Sequence, residues 1–190
     1  MRTRLFYLIV LVTFLSIPAH ALDVGGIQVA PTAKLSADGP TLILNGAGVR
    51  KKLFISVYVG ALYLPKKSSS TQEVLAQTGP RRVLMHFVYD EVSAQKLVGA
   101  WNEGFAANHD ESELAPLRAR IARFNALFVG VKKNDVITLD YRPGEGTRVN
   151  YNDQIKGNIP GEDFNKALLN IWLGEKPVTA SLKKALLGTP

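Results

Sequence analysis

The chain has 190 residues, 46% of them hydrophobic, and no cysteine, so disulfides are excluded and the fold must rest on packing. Lys and Arg outnumber Asp and Glu by 23 to 16, a net charge of +7, which favours acidic ligands or anionic surfaces. The length suits one domain with a substantial core.

The first residues read as a targeting signal. Arg2 and Arg4 make a basic start, residues 5–17 are an apolar run, and Pro18-Ala19-His20-Ala21 ends in an A-x-A pattern. A spanning helix needs about 20 apolar residues, more than this run offers, so no stable membrane span is expected. Cleavage after Ala21 would leave one domain over residues 22–190 and, with Arg2 and Arg4 gone, reduce the charge from +7 to +5. Export, with the periplasm as destination, is the expected location.

Residues 22–39 form a lead-in with a short strand at Ile27-Gln28-Val29. Residues 41–44 and 52–64 read as strands around a turn at 45–50, because Asn45-Gly46-Ala47-Gly48 is a turn or bulge signal. Residues 71–77 suit a short helix ended by Gly79-Pro80. Residues 82–88 alternate as a strand, with Val83, Met85 and Phe87 on one face and Leu84, His86 and Val88 on the other. Ser93 is placed to cap a helix carrying Leu97, Val98, Trp101 and Phe105. Ser112 or Glu113 opens a second, with Leu114, Leu117, Ile121, Phe124 and Phe128 at helical spacing. Period two returns at 135–141 and 147–151 around the turn Pro143-Gly144-Glu145-Gly146. Residues 153–160 form a further short strand or loop. A third helix carries Phe164, Leu168, Ile171 and Trp172 and closes at Gly174, and Pro177-Val178 opens a last one with Leu182 and Leu186 buried. Without βαβ alternation, this order predicts an α+β fold: an antiparallel sheet with helices packed on one face.

Several chemistries lack their residues. After loss of the leader only His86 and His109 remain, so no metal site is expected, since zinc needs three or four convergent ligands. No cofactor is implied either: Gly46-Ala47-Gly48 is half of a dinucleotide fingerprint, but a strand and not a helix follows it. No G-x-S-x-G elbow supports a Ser-His-Asp triad. Arg118, Arg120 and Arg123 spread over more than one side of their helix, a solvated face and not a nucleic-acid surface.

The chemistry that is present lies at Arg50 and Tyr58. A guanidinium beside a buried strand that bears a phenol can hold a carboxylate or an enolate in an apolar cleft. The segment GAGVR, the strand VYVGALYL, the helix with Trp101-Asn102 and the ending FNKALLNIWLGEKPVTASLKKALLG together resemble the chalcone isomerase-like family, in its bacterial exported branch, over roughly residues 25–188. The resemblance implies an open-faced β-sandwich, a large antiparallel sheet with helices layered on it and a ligand cleft between. In the plant isomerases of that family an arginine after a G-x-G turn steers a phenolate. A strand threonine, a helical tyrosine and asparagine, and a hydroxyl residue near the C-terminal helix complete the site, and an enolate forms as the ring closes.

Carried over by residue, the resemblance assigns Arg50 to the arginine, Asn102 to the asparagine, and Tyr58 to the place of the threonine. In the related fatty-acid-binding branch a tyrosine stands there and pairs with the arginine on a fatty-acid carboxylate. Gln95 falls where the enzymes carry tyrosine, and Asn170 or Ile171 where they carry the hydroxyl. The ligand-binding set is therefore Arg50, Tyr58 and Asn102, and the expected partner is a small amphipathic acid bound without catalysis. Two competing expectations are an isomerase acting on another substrate and an envelope structural or partner-binding protein with a filled cleft.

Overall fold

A computed structural model describes residues 21–189. The predicted leader, except for Ala21, lies outside the described residues. Three short strands come first, β1 (Leu22–Val24), β2 (Ile27–Val29) and β3 (Thr32–Lys34). The long hairpin β4 (Thr41–Lys52) and β5 (Ile55–Leu64) follows, then α1 (Thr71–Ala76) and β6 (Arg81–Phe87). Next come β7 (Glu91–Val92), α2 (Ala94–Asn108), α3 (Glu111–Leu114) and α4 (Arg118–Asn125). The chain ends with β8 (Val131–Lys132), β9 (Val136–Arg142), β10 (Gly146–Tyr151), β11 (Gln154–Ile159), α5 (Glu162–Leu173) and α6 (Ala180–Leu186).

Seven strands form one antiparallel sheet in the order β11-β10-β9-β6-β5-β4-β3. One face carries the main core. Tyr58, Leu62, Leu64, Met85, Phe87 and Ile137 meet Trp101, Phe105, Phe124, Phe164 and Trp172 from the helices. The other face carries a smaller cluster, Leu42, Val59, Ala61 and Tyr63, covered by the β1–β2 hairpin through Val24, Ile27 and Val29. The predicted split of β6 holds, with Val83, Met85 and Phe87 buried and Arg82, Leu84 and His86 less so. This is the expected α+β architecture of a large antiparallel sheet with helices on one face.

The turn expected at residues 45–50 is absent. That segment is the middle of β4, paired with β5 from Ile43↔Leu64 to Lys52↔Ile55, and Asn45 forms a bulge in it. Neither Gly46 nor Gly48 has a positive φ. Their use is close approach: a Cβ on Gly46 would collide with the Ala185 carbonyl oxygen, and one on Gly48 would lie 2.5 Å from the Ala185 Cβ. The glycines let α6 rest on bare backbone. Asn45 fixes the contact, donating from Nδ2 to the carbonyls of Leu186 (2.7 Å) and Ser68 (3.0 Å) and accepting from the Ser68 N–H (2.8 Å). The real reversal is two residues long, Leu53-Phe54, with Leu53 at φ 56°.

The helix expected to open at Ser112 or Glu113 begins earlier. Asp110 caps it, and a reciprocal capping box joins Asp110 and Glu113. Pro116 follows within a 3-10 turn, Ala115–Leu117, that separates α3 from α4. Ser93 caps α2 as expected, accepting from the Lys96 N–H. A buried arginine secures α5 to the sheet: Arg81 Nε donates to Asn165 Oδ1 at 2.7 Å, and Asn165 Nδ2 donates to Thr147 Oγ1 at 3.0 Å. The guanidinium also lies over the Tyr141 ring, 4.5 Å from its centroid.

Candidate functional site

The turn end of the β4–β5 hairpin, the end of β6 and the inner side of α2 enclose a cleft of about 600 Å³. Its floor is apolar: Val57, Phe87, Leu97, Trp101, Ile171 and Val178 line it. Gly99 of α2 borders it too, and a Cβ there would meet nothing within 4 Å. Among the described residues no helix is long and apolar enough to cross a membrane, and no cluster of three or more His, Cys, Asp or Glu could hold a metal.

Arg50 and Tyr58 face each other across the strands as Cα partners, and the ladder shifts register between Arg50 and Lys51. The guanidinium carbon lies 5.6 Å from the Tyr58 ring centroid, and both residues line the cleft. No described carboxylate is within ion-pairing distance of Arg50. Tyr58 is buried, and its hydroxyl oxygen accepts a 2.8 Å hydrogen bond from Trp172 Nε1. Burial pushes the phenol up to about 12, against the opposing pull of the Arg50 charge and the Trp172 hydrogen bond. At neutral pH the group is therefore a fixed proton donor and not a base. The indole N–H occupies an acceptor site of that oxygen, and among the described residues no side chain or carbonyl accepts the hydroxyl proton. Trp172 stands edge-on to Trp101, 5.7 Å between centroids, within the aromatic core.

Asn102 does not share this cleft. It sits on the outer side of α2, where Oδ1 accepts from Asn125 Nδ2 at 2.7 Å, and it borders a separate shallow groove with Phe105, Leu114, Arg118 and Ile121. A residue advances about 100° along a helix, so Asn102 points away from Ala100, which lines the cleft two residues before it. Of the two residues at the hydroxyl position, Ile171 lines the cleft, whereas Asn170 Nδ2 lies 3.1 Å from His109 Nε2. Neither His86 nor His109 lines it. Trp172, expected only as packing, is the residue that holds the Tyr58 oxygen, and its indole nitrogen was the one signal available for that role.

The rim is mixed in charge: Lys52 and Lys96 stand with Glu91 and Glu103. Chemically the site offers a cation and a neutral hydroxyl donor at one place, with hydrocarbon beyond them. That pairing suits an anionic head group on an apolar body.

A family model described as chalcone isomerase-like matches residues 21–188. The crystal structure of a fatty-acid-binding protein from Arabidopsis thaliana superposes with a TM-score of 0.59 at 16% sequence identity, covering 82% of this chain and 95% of that one. At that identity the likeness is one of fold. No curated protein matches the chain in sequence.

Proposed function

The chain belongs to the chalcone isomerase-like family, and we propose that it is a binding member of it, taking a fatty acid or similar small amphipathic carboxylate into the cleft between sheet and helices. The observation that carries this reading is the Arg50–Tyr58 pair at an apolar cavity of about 600 Å³. Arg50 neutralises the carboxylate and Tyr58 donates to it. Each hydrogen bond to a charged group contributes about 1.5–3 kcal/mol, and each buried CH₂ about 0.8 kcal/mol. The fatty-acid-binding description of the Arabidopsis protein is consistent with the same use of the fold.

Binding is favoured over turnover by what lines the cavity. Ile171 presents methyl groups where the resemblance requires a hydroxyl, and the donor Tyr58 keeps its proton. A filled, vestigial cleft is disfavoured by the open volume itself. Calorimetric titration with a fatty acid tests the reading: the wild type should bind, and Arg50→Ala should bind at least tenfold more weakly. Unchanged affinity in that variant would overturn it, and enzyme-level turnover of a chalcone would restore the isomerase alternative. The proposal includes export through the N-terminal leader, for which secreted protein should begin at Leu22.

A further inference from the structure

The turn between β4 and β5 is exposed and apolar. Leu53 is 87% exposed and Phe54 98%, with Ile55 and Tyr89 also open to solvent. Leu53 and Ile55 belong to the rim of the cleft as well as to the tip, and Tyr89 adjoins them on that rim. Two local costs coincide here. Large apolar side chains face water, and a leucine takes a positive φ, 56°, where the first position of a two-residue hairpin loop ordinarily calls for glycine. Neither cost is required for the reversal, which a polar pair such as Asn-Gly would make.

Along the hairpin itself the charge has one sign, the rim carboxylates Glu91 and Glu103 belonging to β7 and α2. Arg50, Lys51 and Lys52 precede it directly, and from Gly39 to Gln72 the chain carries no carboxylate at all. Lys51 and Lys52 are exposed. An apolar wedge with a cationic collar complements an anionic bilayer, whose acyl boundary accepts leucine and phenylalanine while its head groups meet the lysines. A second copy of this chain fits poorly: a two-fold contact would press two such cationic collars together. A two-residue tip also buries far less than the roughly 800 Å² per partner of a stable interface.

We propose that Leu53, Phe54 and Ile55 insert into the acyl boundary of an anionic membrane and set the mouth of the cleft against it. A carboxylate amphiphile then passes between bilayer and cleft along the Leu53–Ile55 rim, with its chain never crossing bulk water. The docking stands on the tip alone, while the passage of ligand rests on the function proposed above.

The test uses protein expressed from the full chain, with variants compared to wild type of the same N-terminus. Phe54→Trp places an indole at the tip, and the native Trp101 and Trp172 are buried and give a constant background. On phosphatidylcholine vesicles containing phosphatidylglycerol its emission should shift to the blue and be quenched by brominated acyl chains, and much less on phosphatidylcholine alone. In flotation, Phe54→Ser, at a tip residue that does not line the cleft, should lower vesicle affinity about tenfold, and Lys51→Glu with Lys52→Glu by a similar factor, since each cation near an anionic surface strengthens binding about fivefold. Decanoate titrated in vesicle-free buffer separates the two claims. Retained decanoate binding with lost vesicle binding in the serine variant supports docking. An unshifted, unquenched emission from the Phe54→Trp variant overturns it even where decanoate binds normally. Loss of decanoate binding in Arg50→Ala concerns only the cleft. A wild-type dimer that the serine variant dissolves, or capture of a protein partner without any lipid shift, also overturns the membrane assignment.

Discussion

The two ends of the β4–β5 hairpin use the same pair of strands in opposite ways. Toward Gly46, Gly48 and Gly60, side chains are withheld so that α6 can lie on the backbone, and nothing else fits between them. Toward Arg50 and Tyr58, side chains are large and polar-tipped, and α2 stands off across a cavity. One ladder thus carries a sealed joint and an open pocket only a few residues apart. Whether a strand makes core or site is decided here by what the facing helix finds on it: bare glycine draws the helix in, and the large side chains adjoin the cavity.

Gly46→Val should do most to break that contrast. Its side chain has no room beside the Ala185 carbonyl, so α6 must lift, at a cost of about 3 kcal/mol or more by the scale of overpacked cores. A urea midpoint unchanged from wild type would mean that α6 is not seated on the glycines. At the other end, Arg50→Ala should leave stability within about 0.5 kcal/mol, as for most half-exposed positions. Its loss should appear in ligand affinity, tenfold or greater. Tyr58→Phe falls between these two, because it strands the buried Trp172 N–H and removes a ligand donor at once. We expect about 1–3 kcal/mol of lost stability, and a smaller loss from Tyr58→Phe in a Trp172→Phe background, a coupling that a double-mutant cycle reads directly.

Alkaline titration sharpens the same point. The Tyr58 phenol is raised from 10.0 to about 12 in the folded protein. A group raised on folding contributes stability that is intact below pH 10 and is lost as pH climbs through 10 toward 12, because the unfolded chain releases its proton first. Tyr151, also raised to about 12 by burial and by Asp135, contributes in the same direction. The loss in wild type should therefore exceed that in Tyr58→Phe, followed by circular dichroism, and equal slopes would place Tyr58 in water. Gly99→Ala is the smallest change. The new methyl meets open space, so a gain of about 0.5–1 kcal/mol from helix propensity is expected. Gly104→Ala on the same helix should instead destabilise, since its Cβ would fall 2.8 Å from Ile171.

The periodic elements were readable because their cause is local. The alternation of β6, the Ser93 cap and the apolar stripe of α5 each follow from neighbours a few residues away. The glycine segment misled for a physical reason: glycine serves both positive φ and close approach, and the sequence around residue 46 does not distinguish them. The deciding partner, Ala185, lies near the far end of the chain. Arg50 and Tyr58 reach one cleft because strand register makes them opposite. Asn102 was assigned by resemblance, and helical phase turns it away. The tip at Leu53-Phe54 was hidden inside a run read as one strand, since an apolar turn looks like more strand until its exposure is known.

The Asn45 clamp also bears on the order of events during synthesis. One of its hydrogen bonds joins residue 45 to residue 186, 141 positions later. The groove for α6 exists once β5 has been made, but its cover is made only after α5. Until then the hairpin keeps a bare backbone channel, and the Asn45 carboxamide has only its Ser68 partners. The nascent chain therefore cannot complete this part of its core until α6 has been made.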